Sequence, residues 1–198
     1  MKKIDFYKEL TKLNKTGKNN LKLEQYSTDI DTAYNLINFI DYNLNITGKT
    51  VADLGCGNGI LGIAAALFGA GKVDMYDIDE NAIYVAKNNI EKLHIKNARL
   101  IHMDIFDINE EYDIIVSNPP FGFQSNFNLN AFIKKINSLS KNIFFIYKDN
   151  QEIRITAEDN GFSVYKIGDI KIEKTLPFHK KSYYSLPTVI VYKAQKAI

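Results

Sequence analysis

Cysteine is nearly absent from this chain of 198 residues, because Cys56 is its single cysteine. An internal disulfide is therefore excluded, and the composition fits a reducing compartment. Apolar runs are short as well, and none approaches the roughly 18 residues that a membrane-spanning helix needs. Met1–Asp5 leads into a mixed polar and apolar stretch, so we expect no secretory signal peptide and a cytoplasmic protein.

Metal-ligand clusters, internal repeats and low-complexity linkers are also missing. No group of His, Cys, Asp and Glu residues has the spacing of metal ligands, so the sequence predicts no metal site. Hydrophobic residues make up 45% of the chain and charged residues 24%, which is typical of a globular protein. We expect a single domain over residues 1–198. Residues 1–20 would be an N-terminal helical extension, and 21–198 would be the catalytic part.

Positive charge is concentrated at the two ends of the chain. The net charge is +4 over residues 1–24, −7 over 25–161 and +5 over 162–198. Basic ends are able to bind a polyanion such as RNA, but lysines also solvate exposed helices and strands. Charge alone leaves both interpretations open.

Helix-like and strand-like segments alternate along most of the sequence. Strands are expected at 50–54, 73–76, 98–103, 112–117 and 142–147, and helices at 3–14, 29–43, 60–68, 80–93, 129–139 and 151–160. This alternation predicts an α/β, doubly wound, parallel sheet with helices on both faces. After Gly161 the pattern changes, and two strand-like stretches, 162–173 and 183–193, predict an antiparallel β-hairpin.

Polar and glycine residues follow three successive strands. Asp53–Gly59 (Asp-Leu-Gly-Cys-Gly-Asn-Gly) comes after the first strand, Asp77 after the second and Asp104 after the third. In doubly wound sheets ligands bind at the carboxyl ends of the strands, where glycine lets the backbone approach closely. The spacing is neither the dinucleotide fingerprint nor a P-loop. A turn without a ligand would explain the glycine loop if it stood by itself. Because such residues follow three successive strands, ligand binding is favoured.

These three sites together resemble the class I S-adenosylmethionine-dependent methyltransferases. The resemblance implies that the glycine loop accommodates the methionine end of the cofactor. It also implies that Asp77 binds the ribose hydroxyls and that Asp104 binds the adenine amino group. The implied fold is the Rossmann-like sheet that the alternation predicts.

Asn118–Phe121 (Asn-Pro-Pro-Phe) follows the fourth strand, beside the expected methyl group. The Asn118 oxygen and the Pro119 carbonyl can accept both N–H bonds of an amino or amide nitrogen, which directs its lone pair at the methyl group. Pro120 stiffens the loop, and Phe121 offers a ring on which a base can stack. The motif resembles that of methyltransferases acting on adenine N6, cytosine N4, guanine N2 or glutamine amides. We expect these four residues to be catalytic.

Two further segments resemble one particular family among these methyltransferases. Leu23–Thr28 (Leu-Glu-Gln-Tyr-Ser-Thr) and Phe178–Lys181 (Phe-His-Lys-Lys) resemble the methyltransferase-like protein 5 family, which methylates adenine N6 in small-subunit ribosomal RNA. The resemblance spans about residues 20–193 and implies S-adenosyl-L-methionine as cofactor. The cofactor-binding residues are then expected to be Gln25, Thr28, Asp53, Gly55, Gly57, Asn58, Ile60, Asp77, Asp104 and Ile105. The candidate RNA contacts are Phe178, His179, Lys180 and Lys181.

The hairpin points to RNA on its own composition as well. Basic and aromatic residues alternate there: Lys171, Lys174, Phe178, His179, Lys180, Lys181, Tyr183 and Tyr184. Such a mixture suits phosphate contacts and base stacking. The alternative is an exposed hairpin whose lysines protect a sheet edge.

The resemblance also implies a partner. Relatives in this family work with a small zinc-binding activator of the Trm112 type, which pairs along the exposed third strand, here about Arg99–Met103. An unpaired edge is a template for strand addition.

Three functions remain in competition. The first is an RNA adenine-N6 methyltransferase. The second is a protein glutamine N5-methyltransferase acting on a translation release factor, which shares the Asn-Pro-Pro motif. The third is an inactive, cofactor-binding RNA-binding protein, which the intact motif at Asn118 disfavours.

Overall fold

Seven strands form one sheet in the computed structural model, which describes residues 3–14, 28–120, 127–173 and 183–194. The strands are β1 (Thr50–Leu54), β2 (Lys72–Asp77), β3 (Ala98–His102), β4 (Ile114–Ser117), β5 (Ile143–Lys148), β6 (Ser163–Glu173) and β7 (Tyr183–Lys193). Their order across the sheet is β3-β2-β1-β4-β5-β7-β6. The first five are parallel, and β7 is antiparallel to β5 and β6. The predicted fold class is therefore confirmed.

Helices pack on both faces of this sheet. They are α1 (Lys3–Leu10), α2 (Ile30–Leu44), α3 (Ile60–Leu67), α4 (Glu80–Lys92), α5 (Leu129–Leu139) and α6 (Gln151–Asp159). Helices α1–α4 bury their apolar residues on one face, and α5 and α6 do so on the other. Alternate strand residues enter the two cores, as Val51 and Ala52 show, which explains the continuous apolar strands. None of the helices within the described ranges is long and apolar enough to cross a bilayer.

The boundaries of the first two helices have identifiable causes. Asp29 caps α2 by accepting a 2.8 Å hydrogen bond from the Thr32 N–H, whereas the sequence leaves the start of this helix open between Asp29 and Asp31. Helix α1 ends at Leu10 and not at residue 14. The Asn14 N–H, which would continue the helix by bonding to the Leu10 carbonyl, donates instead to the Asn89 side chain at 2.7 Å.

Strand β3 is an edge of the sheet, as predicted. The connection from β3 to β4 holds only a 3-10 turn, Ile105–Asp107, and a polar network lies beside it. The Asp74 carboxylate is fully buried and binds Arg99 at 2.9 Å, Lys72 at 2.9 Å and the Tyr112 hydroxyl at 2.7 Å. Burial acts to raise the pKa of Asp74, but these partners hold it below its usual value.

The β6–β7 hairpin extends past the rest of the sheet. The last pair between β5 and β7 is Lys148 with Thr188, whereas β6 and β7 continue from Asp169–Pro187 to Glu173–Tyr183. At about 3.3 Å per residue, this extension of the backbone is about 17 Å long. Lys148 is the carboxyl end of β5, so the hairpin projects on the side of the sheet where a ligand is expected.

Candidate active site

A cavity of about 240 Å³ opens at the carboxyl ends of β1, β2, β3 and β4. Most of the predicted site residues line it together: Thr28, Asp53, Gly55, Gly57, Asn58, Ile60, Asp77, Asp104, Ile105, Asn118, Pro119 and Pro120. Gln25, Phe121, Phe178, His179, Lys180 and Lys181 lie outside the described residues. The topology thus brings segments that are far apart in the sequence to one edge of the sheet.

The glycine loop after β1 is held open toward the cavity. Gly55 and Gly57 have φ angles of 71° and 57°, the left-handed region that favours glycine. A Cβ atom on either residue would meet nothing within 4 Å. The loop is tied to the end of β2 by two bonds, from the Cys56 N–H to the Tyr76 carbonyl and from the Gly57 N–H to the Asp77 carboxylate, both 2.8 Å long. These residues therefore form a cradle with space for a ligand.

Helix α3 begins very close to its neighbours. Gly59, at the N-cap of α3, has a φ of 86°, and a Cβ there would lie 2.7 Å from Met75 Cε and 3.3 Å from Ala86 Cβ. A Cβ on Gly62 would also lie 2.7 Å from the Met75 side chain. Glycine at these positions therefore lets α3 pack directly on β2 and α4.

Asp53 substitutes for the missing side-chain cap of α3. Its Oδ2 accepts a 2.7 Å hydrogen bond from the Gly62 N–H in the first turn of the helix. Its Oδ1 is buried and has no hydrogen-bond partner among the described residues. Burial raises the pKa of Asp53 to about 7, although the bond from Gly62 opposes this change. An unpaired carboxylate oxygen beside the cradle is suited to a cationic or hydrogen-bond-donating ligand group.

The other two predicted acids lie at the ends of β2 and β3. Asp77 accepts hydrogen bonds from the backbone N–H groups of Gly57 and Asp79, at 2.8 and 2.9 Å. Burial raises its pKa. Asp104 caps the 3-10 turn by accepting from the Phe106 N–H at 2.9 Å through Oδ1. Each carboxylate is held rigidly and keeps acceptor capacity toward the cavity.

Asn118 is oriented by a residue ninety positions earlier. Its Nδ2 donates a 3.0 Å hydrogen bond to the Thr28 hydroxyl, which is itself buried. The neighbouring Ser117 hydroxyl donates to the Leu54 carbonyl at 2.7 Å and fixes the end of β4 against β1. With its amide hydrogens directed at Thr28, the carboxamide oxygen of Asn118 serves as an acceptor. The sequence motif at Thr28 predicts a cofactor contact and does not reveal this bond.

Sequence reasoning missed several apolar residues of the cavity. Ile78, Met103 and Phe106 line one part of it, and Phe127 and Phe132 line another, with ring centroids 5.4 Å apart. Phe132 could have been assigned to the core from its helical spacing, but nothing in the sequence shows that it also reaches this cavity. Among the described residues, no group of three or more His, Cys, Asp or Glu side chains could hold a metal ion.

Comparison with known proteins agrees with this architecture. The sequence matches the methyltransferase small domain over residues 26–142. It is 32% identical over 173 residues to the rRNA N(6)-adenosine-methyltransferase METTL5 of Danio rerio, which covers 80% of this chain and 82% of that protein. PH1948 of Pyrococcus horikoshii, a proposed RNA methyltransferase, has a similar solved structure with a TM-score of 0.85, 28% identity and full coverage of both chains.

A shorter match concerns a different kind of enzyme. The ribosomal protein L11 methyltransferase of Dictyoglomus turgidum is 49% identical over 72 residues. This match covers 36% of the present chain and 24% of that enzyme.

Proposed function

Because this chain belongs to the methyltransferase small-domain family, and within it to the methyltransferase-like protein 5 family, we propose that it methylates adenine N6 in small-subunit ribosomal RNA. The cofactor of the family is S-adenosylmethionine. The observation that carries the proposal is Asn118, whose carboxamide is held by Thr28 at the wall of the cavity. We also propose that the reaction takes place in the cytoplasm.

The cavity fits the cofactor on the evidence of its own residues. The unpaired Asp53 oxygen would accept from the ammonium of the methionine part, and the open backbone at Gly55 and Gly57 leaves room for that part. Asp77 would bind the ribose hydroxyls and Asp104 the adenine amino group. When bound, S-adenosylmethionine supplies an electrophilic methyl group. The apolar side chains of Ile60, Ile78, Ile105 and Phe106 exclude water from its surface.

The transfer step depends on orienting a weakly nucleophilic nitrogen. The exocyclic nitrogen of adenine has a delocalised lone pair. The Asn118 oxygen and the Pro119 carbonyl would accept its two N–H bonds, which favours a pyramidal nitrogen and directs the lone pair at the methyl carbon. The methyl group would pass to this nitrogen while the sulfur keeps the electron pair of the broken bond, and the resulting ammonium would release its proton to solvent. Phe121 and Phe127 would hold the base, which must leave any duplex to enter the cavity.

The hairpin is the best candidate for binding RNA outside the cavity. Its described backbone projects past the ligand edge of the sheet, and the segment between Glu173 and Tyr183 carries Phe178, His179, Lys180 and Lys181. Lysines there would bind phosphates, and the aromatic side chains would stack on unpaired bases.

Replacing Lys180 and Lys181 together by alanine is expected to raise the KM for ribosomal RNA by about tenfold at physiological salt, because two phosphate contacts are lost. The kcat and the dissociation constant of S-adenosylmethionine should stay within about twofold of wild type. Steady-state kinetics at several salt concentrations would measure this. A matched control replaces Lys87 and Lys96, which lie in and after α4. An equal effect in the control would show that general positive charge, and not the hairpin, is responsible.

The affinity for S-adenosylmethionine is expected to weaken as the pH falls below about 7, the value to which burial raises the pKa of Asp53. The cationic cofactor binds the carboxylate form, so a proton must leave Asp53 upon binding. Affinity is therefore retained above that pKa and lost below it, by up to about tenfold per pH unit.

Isothermal titration calorimetry at pH 6, 7 and 8 would measure this dependence. Asp53→Asn keeps the shape and an acceptor for the Gly62 N–H, and it should flatten the profile. A wild-type profile that is already flat, or an unchanged slope in Asp53→Asn, would contradict the assignment.

The function itself is tested by methyl transfer from labelled S-adenosylmethionine to several acceptors in parallel. These are small ribosomal subunits, free ribosomal RNA, ribosomal protein L11 and translation release factor, followed by separation of nucleosides and proteins. We expect label in N6-methyladenosine of the small subunit RNA. Label in release-factor glutamine would favour the second function considered above, and label in L11 would favour the function of the shorter match. No transfer to any acceptor when a Trm112-type activator is also present would indicate an inactive RNA-binding protein.

We further propose that a small zinc-binding activator of the Trm112 type pairs with β3. This strand is a sheet edge, and Arg99 and His102 on it are exposed. Unpaired backbone groups on such an edge can accept an additional strand. Size-exclusion chromatography of the two proteins together would test this, and separate elution of both proteins at micromolar concentration would refute it.

A further inference from the structure

The N-terminal extension reaches the glycine loop as well as the neighbouring helices. Phe6 of α1 is fully buried and packs edge-on against Tyr34 and Phe68, so the extension is fixed to the core. Beyond the end of α1, the Asn14 carbonyl accepts a 3.2 Å hydrogen bond from Asn58 Nδ2. Because Asn58 belongs to the glycine loop and lines the cavity, the extension touches the cofactor site directly.

A buried amide on α4, that of Asn89, adds a second link between these two segments. Asn89 lies in α4 and is fully buried. Its Oδ1 accepts from the Asn14 N–H at 2.7 Å, and its Nδ2 donates to the Asn14 carbonyl at 3.0 Å and to the Asn58 carbonyl at 2.8 Å. The oxygen and both amide hydrogens are thus used, and a fully satisfied buried polar group of this kind specifies one arrangement of its partners.

The position of Asn89 on α4 explains why it controls the loop. One turn earlier on the same helix, Ala86 lies close enough to Gly59 that a Cβ there would be 3.3 Å away. Helix α4 therefore abuts the loop at Gly59 and holds the adjacent carbonyl of Asn58. Together these contacts fix the peptide between Asn58 and Gly59, from which α3 begins.

We propose that Asn89 is a positioning residue for the cofactor, and that residues 3–14 act through it as a brace that holds the glycine loop in its binding conformation. Asn89 itself does not line the cavity, so its effect would pass through Asn58. This role is independent of which acceptor is methylated. It also gives the N-terminal extension, which lies outside the matched methyltransferase small domain, a part in cofactor binding.

Asn89→Ala is expected to raise the dissociation constant of S-adenosylmethionine by about tenfold, because the Asn58 carbonyl loses its anchor to α4 and only the direct bond from Asn58 to Asn14 remains. The kcat at saturating cofactor should stay within about twofold of wild type, since Asn118 and Thr28 are untouched. The matched control is Asn88→Ala, which alters the adjacent asparagine of α4. The Asn88 side chain forms no hydrogen bond with the residues that the structure describes, and its replacement should leave the dissociation constant unchanged.

A second measurement uses the wild-type chain, so its outcome does not depend on whether the Asn89→Ala variant folds. Hydrogen exchange with and without S-adenosylhomocysteine should show slower exchange both in the glycine loop and in peptides covering Leu10–Asn14, which do not line the cavity. Protection confined to the loop would overturn the proposal. An unchanged dissociation constant in a folded Asn89→Ala variant, or a fall in kcat with unchanged affinity, would also overturn it.

Discussion

Replacing Asn118 by alanine is expected to reduce methyl transfer at saturating cofactor by about 10³-fold, the order found when an orienting group is removed from a preorganised site. The variant loses the oxygen to which we assign the hydrogen bond from the target nitrogen. The dissociation constant of S-adenosylmethionine should change by less than about threefold, because the contacts assigned to Asp53, Asp77 and Asp104 remain. Single-turnover kinetics and calorimetry on the same preparation would separate the two effects.

A matched control for this variant is Asn109→Ala. Asn109 is an exposed asparagine whose side chain donates only to the Asp107 carbonyl at 3.1 Å, and it does not line the cavity. Its replacement should leave transfer unchanged. If Asn118→Ala weakened cofactor binding as much as it slowed transfer, Asn118 would be a cofactor ligand and its assigned role in orienting the acceptor would be wrong.

Replacing Gly59 by alanine is expected to lower the free energy of unfolding by about 2–4 kcal/mol. This value adds the strain of a left-handed backbone at alanine to the cost of an overpacked contact. Its φ of 86° disfavours any Cβ, and the added methyl would lie 2.7 Å from Met75 Cε and 3.3 Å from Ala86 Cβ. Cofactor binding should weaken as well, since the glycine loop and the start of α3 must shift. Urea denaturation would measure the change in stability.

Gly48→Ala separates the two contributions. Gly48 has a similar φ of 76°, but a Cβ there would meet nothing within 4 Å. This variant should therefore cost only the backbone strain, about 1–2 kcal/mol. If both substitutions lowered the free energy of unfolding equally, the close approach of α3 to β2 and α4 would contribute nothing to the cost of Gly59→Ala.

The fold could be predicted from the sequence because its signals are local and repeated. Apolar strands followed by glycine or acidic residues recur several times, and the antiparallel pair appears where the helices stop. The cavity was predictable for the same reason: Asp53, Asp77, Asp104 and Asn118 each follow a strand, and parallel strands end at one edge.

What the sequence could not show are contacts between distant segments. The bond from Asn118 to Thr28 spans ninety residues, and the bonds from Asn89 to Asn14 span seventy-five. No periodic pattern or motif in the sequence marks either pair as a contact. After the early end of α1 at Leu10, the Asn14 N–H likewise finds a distant partner, the Asn89 side chain.

The overhanging β6–β7 hairpin separates two tasks that many enzymes combine in one pocket. The proposed chemistry lies in the cavity at the ends of β1–β4, whereas the hairpin extends about 17 Å past its last pair with β5 and belongs to a different part of the sheet. Under the proposed function, exchange of hairpins between relatives would be an evolutionary route to a new target nucleotide with the same catalytic core.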